Sequence, residues 1–171
     1  MHNTSMSTID SNSQSARVLI VDDHPNTAEM LARVIRKLEV PVEVLTASSG
    51  EDALQLLGDG FADILITDFM MPGMSGLELI EKLREGRKPA YTILMTAYDV
   101  PGLKEIARRL MVNEVIRKPV PAETICRIVV RALEICGYGP IGRASDAERK
   151  EMEGGKDPFV GEEPNRGNPS P

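Results

Sequence analysis

Two apolar runs in this chain break off at carboxylates, and that constrains the fold more than any other feature. Ile64-Leu65-Ile66 passes through Thr67 to Asp68, and Val18-Leu19-Ile20-Val21 stops at Asp22-Asp23. Short, continuous apolar runs bounded by turn signals read as strands buried on both faces, the kind found in parallel sheets. Open parallel α/β sheets bind their ligands at the carboxyl edge, so each run delivers its Asp to the place where chemistry is done. Were the two strands neighbours, three carboxylates would meet. Anions that close disfavour each other's charged forms, which implies a hard divalent cation among them.

The remaining chain supplies the partners such strands need. The first strand is expected over Arg17 to Val21, and His24-Pro25 opens a helix with Met30, Leu31, Val34, Ile35 and Leu38 at helical spacing. A strand from Val42 to Thr46 precedes a helix capped by Ser49 and Asp52, with Ala53, Leu54, Leu56 and Leu57 as packing positions. After Asp68, Ser75 and Glu78 form a capping box for a helix with Leu77, Leu79, Ile80 and Leu83 inward. Tyr91 to Met95 is a fourth strand. Asp99 is the expected cap of a helix packing through Leu103, Ile106, Ala107 and Leu110, and Glu114 to Arg117 is a fifth strand. The last helix is expected from Pro121 to Cys136, with Ile125, Ile128, Val129, Ala132 and Leu133 inward. Five strands alternating with five helices through short connections predict a single doubly wound parallel α/β domain.

Its expected limits are residues 17–137. Residues 1–16 are polar, and residues 138–171 hold six Gly and five Pro among 34 residues, so both tails are expected to be disordered. A net charge of -6 argues against nucleic acid as a direct partner. No apolar run approaches the length of a membrane span, and the Ser- and Asn-rich start has no apolar signal-peptide core, so a cytoplasmic protein is expected. Cys126 and Cys136 would lie about 15 Å apart along one helix, too far to bridge, and are expected to be reduced.

Four strands thus end in groups with chemical potential: Asp22 and Asp23, Asp68, Thr96, and Lys118. Singly, each has a bland reading as a turn, cap, β-former or solvated lysine. In a parallel sheet, however, all of them share one edge. Asp22-Asp23, Asp68 followed by Met70-Met71-Pro72-Gly73-Met74-Ser75-Gly76, Met95-Thr96-Ala97, and Lys118-Pro119 together resemble the receiver domain of two-component response regulators, in its stand-alone form.

The resemblance spans Arg17 to Gly137 and implies a flavodoxin-like sheet of strand order 2-1-3-4-5. It implies that Asp68 accepts a phosphoryl group from the phosphohistidine of a sensor histidine kinase or phosphotransfer protein. Magnesium would be held by Asp23, Asp68 and the Met70 carbonyl, with Asp22 acting through water. Lys118 and Thr96 would each meet a phosphoryl oxygen, and a cis Lys118–Pro119 bond would aim the lysine. The chain would then be a signalling phospho-acceptor that catalyses its own phosphoryl transfer, not an enzyme acting on other substrates. It would pass its signal to a downstream protein effector, without nucleic acid or membrane contact. The kinase is expected near Pro25 to Leu31, and the last two helices could pair in a homodimer.

Two positions depart from the family pattern. Val115 stands where an aromatic switch residue is usual, with Tyr98 the candidate substitute beside Ala97. Met70, two residues after the acceptor, cannot orient a hydrolytic water as an amide or acid would, which predicts slow loss of the phosphoryl group. Three other readings compete. A dehalogenase-type phosphatase would need a general-acid Asp where Met70 stands. A phosphate-independent binding module would fit the Val115 departure. A receiver detached from an output module would fit the Gly/Pro-rich tail.

Overall fold

The computed structural model describes residues 15–86 and 89–138. Five strands alternate with five helices: β1 Ala16–Val21, α1 Pro25–Ile35, β2 Val42–Ala47, α2 Gly50–Leu57, β3 Ile64–Asp68, α3 Gly76–Glu85, β4 Tyr91–Thr96, α4 Leu103–Arg109, β5 Glu114–Arg117 and α5 Ala122–Ile135. The strands form one parallel sheet of order β2-β1-β3-β4-β5, as the sequence reading and the family resemblance expected. β1 and β3 are neighbours, with Val18 paired to Ile64 and Val21 to Thr67, so their terminal carboxylates lie side by side.

Side chains alternate across each strand, and every central strand therefore feeds two cores. Val18, Ile20, Ile64, Ile66, Ile93 and Met95 join Leu31, Ile35, Ile125 and Val129 beneath α1 and α5. Leu19, Val21, Leu65 and Leu94 face Ala53, Leu79, Ile80 and Leu103 of α2, α3 and α4. Burying one such Leu or Ile contributes about 2 kcal/mol. The unbroken apolar runs of the sequence follow directly from this two-sided burial.

Local signals account for most element boundaries. His24 is the N-cap of α1, with Pro25 at its first position. The Ser49 hydroxyl accepts from the Asp52 N–H at the start of α2. Ser75 and Glu78 form the reciprocal capping box of α3.

Several expectations are corrected. Ala16, assigned to the N-terminal tail by its polar neighbours, is fully buried and opens β1, its N–H donating to the Pro41 carbonyl at 3.0 Å. Tyr138, assigned to the C-terminal tail, packs on the α1/α5 core. There the Tyr138 N–H donates to the Leu133 carbonyl and Gly137 adopts φ 89, the left-handed helix stop that glycine favours. The rest of both tails lies outside the described residues.

Asp99 does not cap α4. The Leu103 N–H bonds the Val100 carbonyl across Pro101-Gly102, with Gly102 at φ 78 and ψ -6. Those values define a type II turn, which delays the helix until Leu103. Met30, Leu56 and Ile106, read as packing positions, are nearly half exposed because each lies at the margin of its helix's apolar face.

Candidate functional site

The site lies at the carboxyl edge of the sheet, where β1 and β3 meet and successive connections leave on opposite faces. Asp22 and Asp23 follow β1, Asp68 ends β3, Thr96 ends β4 and Lys118 follows β5. All five residues singled out on sequence grounds for phosphoryl and metal chemistry are brought to this edge. Asp22 is fully buried, while Asp68 and Thr96 are each only 6 % exposed.

Lys118 organises the charges. Its ammonium donates to Asp22 Oδ2 at 2.7 Å and lies 2.8 Å from Asp68 Oδ2. Burial pulls the Lys118 pKa down, but the hydrogen bonds and charges of Asp22 and Asp68 outweigh it and hold the group above the ordinary lysine value. Lys118 is therefore a fixed positive charge at neutral pH. The Lys118–Pro119 peptide is cis, and the Lys118 N–H bonds the Thr96 carbonyl at 2.8 Å.

The Thr96 hydroxyl is already engaged: it donates to the Tyr98 carbonyl at 3.0 Å and accepts from the Tyr98 N–H at 3.1 Å. Around Asp68, a cleft of about 320 Å³ is lined by His24, Thr27, Met70, Thr96, Ala97, Tyr98 and Lys118. Met70 and Tyr98 form an exposed rim. Val115 sits apart from this cleft, half-buried against the α2–α4 core.

Behind Asp68, Gly76 fits closely under β3. A Cβ at that position would come within 2.1 Å of the Asp68 carbonyl oxygen, and the Gly76 N–H bonds the Phe69 carbonyl at 3.0 Å. Only a residue without a side chain lets α3 begin directly beneath Asp68.

Asp22, Asp23, His24 and Asp68 each place one ligand-capable atom within 4.8 Å of the others. The hard carboxylate oxygens suit a divalent ion such as magnesium, which keeps several waters and takes one or two carboxylates from a protein. His24 was read from the sequence only as opening a helix with Pro25. The usable signal was its position directly after Asp23, which commits it to the same edge.

Fold and site together define a class: a flavodoxin-like doubly wound domain with an acidic, lysine-bridged pocket at its switch point. A family model for the response regulator receiver domain matches residues 18–130. The chain is 36 % identical over 116 residues to a positive alginate biosynthesis regulatory protein of Pseudomonas aeruginosa, covering 67 % of this chain and 46 % of that protein. It is 37 % identical over 112 residues to the sensory transduction protein RegX3 of Mycobacterium bovis, covering 65 % and 48 %. The chain thus spans about half the length of these curated relatives. Among solved structures, the Vibrio cholerae chemotaxis protein CheY4 aligns with a TM-score of 0.63 at 26 % identity, covering 70 % of this chain and 99 % of that one. The chain belongs to the response regulator receiver domain family of two-component systems. Among the described residues no helix is long and apolar enough to cross a membrane.

Proposed function

We propose that this receiver accepts a phosphoryl group on Asp68 from the phosphohistidine of a kinase or phosphotransfer protein and signals by protein contact. The observation that carries the reading is the Asp22–Lys118–Asp68 bridge, with Thr96 and Asp23 at the same edge. An Asp68 Oδ attacks the phosphorus, a P–O bond forms, the P–N bond breaks, and the imidazole leaves with its electron pair. Transition-state charge in such a transfer spreads over the phosphoryl oxygens, so positioning and electrostatics do most of the catalysis.

Each residue has a part in that scheme. Lys118 shifts from carboxylate to phosphoryl oxygen without moving far, since it already lies 2.8 Å from Asp68. Thr96 exchanges its bond to the Tyr98 carbonyl for one to a second phosphoryl oxygen. Asp23, Asp68 and the Met70 carbonyl would hold Mg2+, with Asp22 behind them. Bound there, the ion supplies positive charge against the phosphoryl oxygens.

Docking of the phosphodonor is assigned to the start of α1, from Pro25 to Leu31, where His24 and Thr27 line the Asp68 cleft and Met30 is exposed. The acidic net charge fits a protein effector better than nucleic acid. A cytoplasmic location accords with a kinase partner and two unbridged cysteines.

Acetyl phosphate with Mg2+, followed by intact-mass measurement, tests the reading. One phosphoryl group gained by the natural chain, and none by Asp68→Asn or without Mg2+, is the expected result. No gain from acetyl phosphate or from phosphohistidine donors would instead favour a binding module that works without phosphate.

A further inference from the structure

His24 belongs to the acidic cluster, yet the chemistry above gives its imidazole no task. Its backbone is committed: the His24 N–H donates to Asp22 Oδ1 at 3.0 Å, and its carbonyl accepts from Thr27 and Ala28 as α1 begins. Its side chain makes no capping bond to the helix. Instead Nδ1 lies 3.0 Å from Asp23 Oδ1 and 3.5 Å from Asp22 Oδ1.

A ring nitrogen facing two carboxylate oxygens avoids lone-pair repulsion in one of two ways: it carries a proton, or it shares a metal ion with them. The geometry allows the second. The donor atoms of Asp22, Asp23, His24 and Asp68 fall within 4.8 Å of one another. That span suits ligands placed around a divalent ion at bond lengths of about 2.0–2.4 Å. At 72 % side-chain exposure the imidazole turns toward the site without breaking core packing.

Resting on the receiver reading above, we propose that His24 is a nitrogen ligand of this pocket, so that the site is a mixed carboxylate–imidazole centre. Co2+, a borderline ion, and Mn2+, which is harder but takes an imidazole more readily than Mg2+ does, are bound through His24 Nδ1 as well as the carboxylates, with the ring neutral and its remaining proton on Nε2. Mg2+, which favours oxygen and gives up water reluctantly, is held by the oxygens alone. The receiver therefore discriminates between metals through a residue outside its acidic pair and its acceptor.

Pulsed EPR of the full chain loaded with Mn2+ tests this through the hyperfine coupling of a directly bound 14N. The chain has one other histidine, His2, so His24→Gln and His2→Gln assign the signal. The expected result is a nitrogen coupling in the natural and His2→Gln proteins that vanishes in His24→Gln. Mn2+ affinity should fall about tenfold in His24→Gln, a loss that even an outer-shell partner can cause, while Mg2+ affinity stays unchanged. Bound Mn2+ without nitrogen coupling, a coupling that survives His24→Gln, or equal losses for both ions would overturn the proposal and leave the metal-assisted receiver reading standing. No Mn2+ binding, or binding indifferent to Asp23→Asn, would overturn that reading along with the nitrogen ligand.

Discussion

Lys118 Nζ lies 2.8 Å from Asp68 Oδ2, and the same ammonium donates to Asp22 Oδ2 at 2.7 Å, so one cation ties together the ends of β1, β3 and the strand before it, β5. Lys118→Met keeps the length of the side chain and removes the charge. It leaves the fully buried Asp22 beside Asp68 with no cation between them. The expected loss is about 2 kcal/mol in urea unfolding, with phosphorylation lost as well. Because the folded-state pKa of Lys118 is raised, its contribution is whole below the unfolded lysine value of about 10.4 and fades as pH rises through the folded value. Natural and Lys118→Met stabilities should therefore converge at strongly alkaline pH. A constant gap would show that the lysine stabilises by packing alone.

Lys118 bridges two of the three carboxylates, and the third, Asp23, has His24 as its nearest partner. Without divalent ion, Asp23→Asn removes one anion from the group and should unfold at the same or a higher temperature than the natural chain. With Mg2+ the order reverses. An ion at a hundred times its dissociation constant stabilises the folded state by about 2.7 kcal/mol. Thermal melts with and without Mg2+ should show a rise of several degrees for the natural chain and none for Asp23→Asn. A comparable rise in both proteins would place the ion elsewhere.

Gly76→Ala tests the backbone behind Asp68. The added methyl group would sit 2.1 Å from the Asp68 carbonyl oxygen, and neither partner of that contact is a flexible side chain. Either α3 retreats or β3 shifts, at a cost of about 3 kcal/mol on the scale of overpacked cores. Since the displaced atom belongs to Asp68 itself, phosphorylation by acetyl phosphate should slow even where the domain stays folded. Unchanged stability would mean that α3 begins less tightly than the geometry indicates.

What could be read in the sequence was what acts locally or periodically. Ser75 and Glu78 meet within one helical turn, and the Ile64–Ile66 and Val18–Val21 runs follow from burial on both faces of a parallel sheet. Once the strands are parallel, their ends must share an edge, which is why Asp68, Asp22, Asp23, Thr96 and Lys118 were legible as one site. Long-range contacts were not. Nothing near Gly76 in sequence announces the Asp68 carbonyl, and nothing near Tyr138 announces Asp63. Burial, then a hydrogen bond to that carboxylate, hold the Tyr138 phenol up at about 12. Asp99 was misplaced for a different reason: the Pro101-Gly102 pair signalled a turn, and a plausible cap two residues earlier obscured it.

Met70 lines the Asp68 cleft at 56 % exposure, where on the proposed reading a hydrolytic water must pass to reach an Asp68 phosphoryl group. A thioether offers that water only a weak acceptor and no strong donor. The aspartyl phosphate is expected to be long-lived, and Met70→Asn, which supplies an amide at the same place, should shorten its lifetime. General acid–base assistance is worth about a hundredfold or more when well placed, and simple orientation less. Phosphate release followed over time after removing the donor measures the change. Equal lifetimes would show that access to the phosphorus, and not orientation of water, limits the reaction.

In the structure the Thr96 hydroxyl donates to the Tyr98 carbonyl, so a phosphoryl oxygen can win that proton only by breaking a bond that holds the start of the β4–α4 connection. Two residues before Thr96 on β4, Leu94 is paired with Val115, whose side chain packs into the same core as Leu103 of α4. A valine lacks the ring that could swing into space vacated near Thr96, but its two methyls report directly on that core. Thr96 is therefore expected to move on phosphorylation and Val115 to respond by a change of surroundings. Methyl NMR with and without beryllofluoride, a phosphoryl mimic, should shift the Val115 resonances in the natural chain and leave them in place in Thr96→Val. Val115 methyls that ignore the mimic while Thr96 responds would mean that the signal exits along Tyr98 and the loop instead of through β5.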